Sequence, residues 1–485
     1  MRKVDPSGSP LIDRLVRMAE NPPVSFHTPG HKNGRLFQLA DTGSLPSFLP
    51  SIDTTELPET DHLHHAKGVI LDAERRAAEV FGSEETYFLV NGSTCGIYAM
   101  IMSVAGPGDE IIINRNAHQS VYNACLLGGV TPRYLKPPLH PALGLPLAVT
   151  SESVAQTLAE WPSAKAVLIT TPTYHGFTAD LTAIARIVHL QGKILLIDEA
   201  HGAHLLLSRR LPPTALECGA DAAVQSTHKT LGAFTQAAML HIQGPLIDRE
   251  RLKYMLTLHQ SSSPSYLLLS SLDLAVSLVR TQGPEMMEAL LDQVEDIQRE
   301  LKELPHLLMN SVSGEPAELQ TDPTRLWLDL HQTGLSGYHL NERLRHTYNI
   351  QMEFSDNRGA LAILTIGNIQ DDLDRLRRAV TELSAQPPVN LQKPLPQPPD
   401  TLPKVRCSQR EAASADKKTV TLCEAAGCVS AVSLVPYPPG VPLVVPGEVI
   451  EPELIHYLQQ IIASGNEVMG MKDPENQKIE VAVIQ

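Results

Sequence analysis

From about residue 86 onward the chain alternates two patterns of hydrophobic positions. Short apolar runs stand at 110–113 (EIII), 166–170 (AVLIT), 194–197 (ILLI) and 222–225 (AAVQ). Between them lie stretches with apolar residues at helical spacing, such as ESVAQTLAEW (152–161) and LTAIARIVHLQGK (181–193). A short run that is apolar on both faces suits a strand buried on both sides, and the amphipathic stretches suit helices that cover it. The alternation therefore predicts an α/β fold with a mostly parallel sheet between helical layers.

Residues 275–385 change character. A long charged helix (EALLDQVEDIQRELKEL, 288–304), with a solvated face, and strand candidates at 325–330 and 360–366 predict a smaller α/β domain. Residues 386–403 hold seven prolines in eighteen positions, the composition of a semi-rigid extended linker. The pattern divides the chain into an N-terminal segment (1–35), a large sheet domain (36–274), the small domain (275–385), the linker (386–403) and a C-terminal α+β module (404–485). That module contains the turn-rich YPPGVPLVVPGE (437–448), followed by the helical PELIHYLQQIIASG.

Composition adds exclusions. Apolar content of 42% and charged content of 19% are ordinary for a globular protein. A net charge of −15 argues against nucleic-acid binding. No apolar run approaches the ~20 residues that span a bilayer, and the opening MRKVDPSGSPLIDRL lacks the apolar core of a secretory leader. The six cysteines are scattered, with Cys95 and Cys125 read as small buried residues, so a reducing, cytoplasmic setting is expected.

The chemistry gathers where predicted strands end. NGSTCG (91–96), NRNAHQS (114–120), TPTYHG (171–176), DEAHGAH (198–204) and STHK (226–229) each follow an apolar run. Open parallel sheets bind ligands at the carboxyl ends of their strands, so all five can face one crevice. Gly92 and Gly96 are expected to admit a ligand close to the backbone. Ser93, Thr94 and the start of the following helix suit a phosphate monoester, in a pattern that is neither a P-loop nor a dinucleotide fingerprint. Lys229 brings an amine that can condense with an aldehyde. Pyridoxal 5'-phosphate carries an aldehyde, a phosphate and a ring nitrogen, and Asp198 is a carboxylate that could keep that nitrogen protonated. A lone lysine is usually a surface residue; five clusters at strand ends outweigh that reading. The histidines at 62, 64 and 65, and the pair His201 and His204, lack the HExxH spacing of a zinc site, and no metal is expected.

These segments resemble the ornithine/lysine/arginine decarboxylases among the fold-type I pyridoxal-phosphate enzymes, whose large domain is aspartate-aminotransferase-like. The resemblance rests on SFHTPGHKNG (25–34), FLVNGSTCG (88–96), RNAHQS (115–120), DEAHGAH, STHKTL (226–231) and YPPGVPLVVPGE, in the family's order along nearly the whole chain. It looks like the short form without the N-terminal wing domain. The resemblance implies that Lys229 holds the cofactor and Asp198 pairs with its ring nitrogen. His118 would stack on the ring, Ser93, Thr94, Ser226 and His228 would contact the phosphate, and His201 would lie on the phenolic-oxygen side. A basic amino acid (arginine, lysine or ornithine) would be decarboxylated in a homodimer with shared sites, the 53–68 loop reaching toward the partner. Its charged end would meet an acid, with Glu448, Glu353 and Asp356 as candidates. Three positions depart from the family's usual residues: His62 replaces an aspartate, Gln119 a lysine and Gly232 a proline; His62 bears on specificity. The competing readings are another reaction of this fold, such as transamination, with Arg325 clamping the substrate carboxylate, and a metal-dependent hydrolase built on the histidines.

Overall fold

Seven strands form the sheet that carries these clusters: β1 (Glu85–Leu89), β2 (Glu110–Asn114), β3 (Thr131–Leu135), β4 (Ala166–Thr170), β5 (Ile194–Asp198), β6 (Ala222–Gln225) and β7 (Ala238–Ile242). The computed structural model describes residues 20, 22–39, 52–310, 320–386, 399, 401–436, 440–463, 467–475 and 477–484. The spatial order is β1-β7-β6-β5-β4-β2-β3. All strands run parallel except β7, which is antiparallel to both neighbours. The four predicted apolar runs are strands. β3, whose pattern TPRYL is half polar, and β7 were not among them. Ile111, Ile112, Ile113, Leu195, Leu196 and Ile197 are fully buried because helices cover both faces.

The helices follow the amphipathic stretches and are capped by their own flanks. Thr150 accepts the Ser153 N–H at the head of Ser151–Glu160, and Asp180 accepts that of Ala183 at the head of Leu181–Leu190. Two helices start at the site: α1 (Gly92–Val104) and α2 (Gln119–Gly128). The charged stretch belongs to α3 (Gly283–Lys302), which begins earlier than its charges suggest, with a proline in its first turn. Met287, Leu290, Leu291, Val294, Ile297 and Leu301 form its buried stripe.

Four antiparallel strands, Leu308–Met309, Arg325–Asp329, Gly359–Ile363 and Phe354–Ser355, build a second sheet. Val24–Phe26 pairs in parallel with Ile350–Met352, so the segment before the large sheet is anchored beside the small one. Residues 417–421, 478–482 and 429–430 form a third, antiparallel sheet. It packs with the helix Pro452–Ala463 around Val420, Leu434, Val444, Ile450, Leu458 and Ile479. The proline-rich stretch 387–398, with residues 400 and 437–439, lies outside the described residues.

Candidate active site

At the end of β1 the chain turns through Gly92, whose φ of 72° is left-handed and open to glycine at low cost. Its N–H donates to Gln236 O at 2.9 Å. The N-cap Asn91 makes no side-chain cap, so the first-turn N–H groups of α1 lack a side-chain acceptor. A helix start in this state, with its positive dipole end, suits an anion. Ser226 Oγ donates to Ser93 Oγ at 2.8 Å and ties the ends of β6 and β1 together at this spot. Gly96 has a different reason from the expected one. A Cβ there would lie 2.6 Å from Val224 Cγ2 and 2.8 Å from Leu89 Cδ1. It lets α1 press onto β1 and β6, a packing requirement for glycine.

Asp198 ends β5 and pairs in register with Thr170 on one side and Val224 on the other. Lys229 lies just past β6, on a single helical turn Thr227–Thr230. Asp198 is 2% exposed and accepts the Ala200 N–H at 3.2 Å. Among the described residues no lysine or arginine nitrogen comes within ion-pair distance of it. Burial raises its pKa, and the Lys229 charge opposes the rise. Burial likewise lowers Lys229, opposed by Asp198 and Glu353, with Arg325 adding to the lowering. Lys229 Nζ is 3.1 Å from His201 Nε2. His201 is driven well below the ordinary histidine range by burial and then by Lys229, and its Nδ1 is buried without a partner.

His118 is the N-cap of α2. Its Nδ1 accepts the Ser120 N–H at 3.2 Å and lies 2.9 Å from Ser120 Oγ, which leaves Nε2 as the protonated nitrogen. Burial, helped by Lys229, lowers His118 to about 4. Burial also brings His228 to about 4, and its Nδ1 donates to Ala237 O at 2.9 Å. Both imidazoles are therefore neutral near pH 7. Thr94 stands half-buried in the first turn of α1.

The three acids expected to meet the substrate part company. Glu353 lies near the Lys229 cluster: its Oε1 accepts from Tyr174 O–H at 2.7 Å, its Oε2 accepts the Thr28 N–H at 2.8 Å, and its charge acts on Lys229 and His228. Asp356 instead closes its own hairpin, accepting from Gly359 N at 3.0 Å and Arg358 N at 2.6 Å. Glu448 is 1% exposed, and its Oε2 accepts from Arg115 Nη2 at 3.1 Å and from Val445 N at 2.9 Å. Asp356 is thus engaged by its own turn, and Glu448 by an arginine 333 positions away.

Arg325 is buried with its side chain packed against Gly176. Nη2 donates to His201 O at 3.0 Å, and Nε is 3.5 Å from Asp322 Oδ2. His204 Nε2 lies 3.1 Å from the same Asp322 oxygen. His62 caps a 3-10 turn by accepting the His64 N–H, and His64 Nε2 is 2.8 Å from Ser261 O. Tyr174, Thr28 and Lys32 were not singled out. Tyr174 sits in a cluster that was flagged, TPTYHG, and its ring lies edge-on to His201 with centroids 4.8 Å apart. Lys32, in HTPGHKNG, is 2% exposed, and its ammonium donates to His27 O and Ile363 O, each at 2.9 Å.

A mostly parallel sheet with a lysine past one strand, a carboxylate ending the next and an uncapped helix start beside them defines the fold-type I pyridoxal-phosphate class. The solved lysine decarboxylase LdcF of Francisella novicida shares the fold with a TM-score of 0.77 at 22% identity, over 98% of this chain and 81% of that one. The chain belongs to the Orn/Lys/Arg decarboxylase family. The family's major domain matches residues 9–321 and its C-terminal domain residues 393–477. The chain is 35% identical to the arginine decarboxylase of Bacillus subtilis (strain 168) over 479 residues, 98% of this chain and 97% of that protein. It is 28% identical to the lysine decarboxylase LdcA of Pseudomonas aeruginosa over 321 residues, 60% of this chain and 43% of that protein. The protein is a decarboxylase, and no described helix is long and apolar enough to cross a membrane.

Proposed function

We propose that the protein decarboxylates L-arginine with pyridoxal 5'-phosphate, releasing carbon dioxide and the corresponding amine. The observation that carries the reading is the placement of half-buried Lys229 and buried Asp198 at the ends of adjacent strands, each opposing the shift that desolvation imposes on the other's pKa. The residues fit the cofactor. Asp198 is a buried carboxylate that lacks a cationic partner at bonding distance, which a pyridinium would supply. The uncapped start of α1, with Ser93, Thr94 and Ser226, offers donors to a phosphate, with His228 beside them. His201 Nδ1 is a buried nitrogen in want of a partner.

When bound, the cofactor serves as an electron sink for the pair left on the α-carbon as carbon dioxide departs. Asp198 would keep the proton on the ring nitrogen, and in its water-poor surroundings that charge acts strongly. Lys229 would anchor the cofactor through Nζ; burial lowers its pKa and keeps more of the amine in the nucleophilic form. The same Nζ, beside His201, is placed to return a proton to the α-carbon. His118, uncharged, would cover the ring face and exclude water. Glu353, with Tyr174 beside it, would receive the charged end of the substrate.

Arginine is favoured because the relative named as an arginine decarboxylase matches end to end, whereas LdcA matches over part of the chain. Incubating the protein and cofactor with arginine, lysine and ornithine separately and identifying the amine products tests the choice. Predominant turnover of lysine or ornithine would overturn it. Lys229→Ala should abolish turnover and the visible absorption of bound cofactor together; turnover surviving the substitution would sink the assignment. The proposal includes a homodimer with shared sites, which a monomer in light scattering would contradict.

A further inference from the structure

The C-terminal module touches the large sheet at one functional place, on either side of His118. Arg115, three residues before it, sends Nη1 to Pro442 O at 2.8 Å and Nη2 to Leu443 O at 3.0 Å and to Glu448 Oε2 at 3.1 Å. Gln119, the residue after it, donates its N–H to Gly440 O at 3.0 Å. The guanidinium carbon of Arg115 lies 5.3 Å from the Tyr122 ring centroid and 5.2 Å from that of Tyr134. Val445, next to these acceptors, packs in the core cluster of α1, α2 and the large sheet.

We infer that the C-terminal module is part of the cofactor site. Through the buried Arg115–Glu448 ion pair and the Gln119–Gly440 hydrogen bond it clamps the 115–119 turn and sets the position of the His118 ring. The inference rests on the proposed stacking role of His118. Arg115 and Glu448 are positioning residues in this scheme.

The reasoning is geometric. His118 sits at an N-cap with φ −61° and ψ 149°, an extended conformation that regular structure does not enforce. Its own contacts, to Ser120, fix the ring relative to α2 but not relative to the sheet. What holds the turn from outside α2 is the Arg115 N–H, which donates to Leu135 O of β3 at 2.8 Å, together with the bracket of four hydrogen bonds described above, three of them from one guanidinium. A charge-assisted fork of this kind is directional, and a lysine could not satisfy its three acceptors in the same plane. The bracket also explains why a carboxylate is spent at position 448: without it, the guanidinium would keep only carbonyls and the Tyr122 hydroxyl, at 2.9 Å, as partners.

Two variants test the inference. Glu448→Gln keeps the shape and removes the charge. Gln119→Pro removes only the N–H that reaches Gly440; proline is tolerated at the first position of a helix, and the extended backbone of His118 accepts a following proline. Three readouts apply: the cofactor dissociation constant, the visible circular dichroism per bound cofactor, and hydrogen exchange at the first-turn amides of α2 in the cofactor-free protein. We expect about tenfold weaker cofactor binding for Glu448→Gln, the loss typical of one charge-assisted hydrogen bond. The visible dichroism should change shape, and exchange should quicken at residues 120–122 for both variants. The inference falls if both variants leave all three readouts at wild-type values, or if Glu448→Gln lowers only the melting temperature. Should Glu448→Gln fail to fold, Gln119→Pro decides alone. Lys229→Ala, run alongside, separates the two claims: retained visible absorption there would defeat the cofactor assignment, whereas its loss with unaltered Glu448→Gln would defeat only the clamp.

Discussion

Lys32 offers a measurement of how much the small sheet and the N-terminal segment depend on a buried charge. Its ammonium has two carbonyl partners, His27 O and Ile363 O, and among the described residues no carboxylate within ion-pair distance. Burial, only partly offset by the Glu353 charge, pushes it from the ordinary 10.5 down to about 7. In the unfolded chain the lysine titrates near 10.5, so between about 7 and 10.5 the unfolded state binds the proton that the folded state sheds. Stability therefore rises with pH across this window, falls as pH drops toward 7, and levels off below it. Each pH unit inside the window is worth ~1.4 kcal/mol. Lys32→Met removes the titration and takes the ammonium from Ile363 O, while His27 O keeps a hydrogen bond from Ser25 Oγ at 3.2 Å; the cost, ~1–3 kcal/mol, does not vary with pH. The assay is urea unfolding of both proteins side by side at pH 7, 8 and 9, at constant ionic strength, so that titrations common to both cancel. Because Lys32 is still half protonated in the folded protein at pH 7, the stability of wild type relative to Lys32→Met should grow by about 2 kcal/mol from pH 7 to pH 9. A difference that stays flat within ~0.5 kcal/mol, the ordinary scatter of such measurements, would refute the reasoning, because it would mean that Lys32 keeps its ordinary pKa in the folded protein.

Three further outcomes follow from contacts. Gly96→Ala places a methyl 2.6 Å from Val224 Cγ2, so overpacking should cost ~1–3 kcal/mol and lower the melting temperature. Gly30→Ala puts its Cβ 2.7 Å from Leu231 O and 2.9 Å from Thr230 C; backbone cannot swing aside as a side chain can, so the turn bearing Lys229 must shift, and kcat should fall by about tenfold or more even where the protein remains folded. Glu199 accepts from Ala215 N at 2.8 Å and from Gln225 Nε2 at 2.7 Å, while Gln225 Oε1 lies 3.2 Å from His241 Nε2. Glu199→Gln leaves one of the two donors facing another donor and should cost ~1–3 kcal/mol in thermal or urea unfolding, whereas Glu199→Gln combined with Gln225→Glu restores every donor–acceptor match and should recover most of the loss.

What the sequence revealed and what it hid divide along a physical line. Fully buried strands read clearly at 110–113, 166–170, 194–197 and 222–225, because a sheet covered on both faces leaves no room for polar residues. The polar clusters stood out because each interrupts such a run at its end. Hidden were β3, whose edge position permits arginine and tyrosine, and β7 together with its antiparallel direction, since an apolar run looks the same in either sense. The packing demand at Gly96 was hidden for a similar reason: a glycine that admits a ligand and one that admits a helix are the same letter. The choice among Glu353, Asp356 and Glu448 was beyond local reading, because Glu353 and Glu448 are placed by partners more than a hundred positions away, Thr28 and Tyr174 for one and Arg115 for the other.

The distance between those partners has a structural origin. Thr28 reaches Glu353 with its N–H, Gly30 N donates to His228 O at 2.7 Å, and Thr365 Oγ1 donates to Gly30 O at 2.7 Å. One short stretch, 24–34, thus lies between the turn that carries Lys229 and the strand end that carries Glu353, and hydrogen-bonds to both. Neither could move relative to the other without breaking bonds to this stretch, so the spacing between the amine and the acid is set by residues that perform no chemistry. The same logic holds on the opposite flank, where the C-terminal loop brackets His118. The large sheet supplies the reactive groups, and the two ends of the chain supply their separation. Substitutions far from the sheet in sequence, at Gly30 or Glu448, should for that reason act on the site more strongly than exposed changes on the helices that cover the sheet.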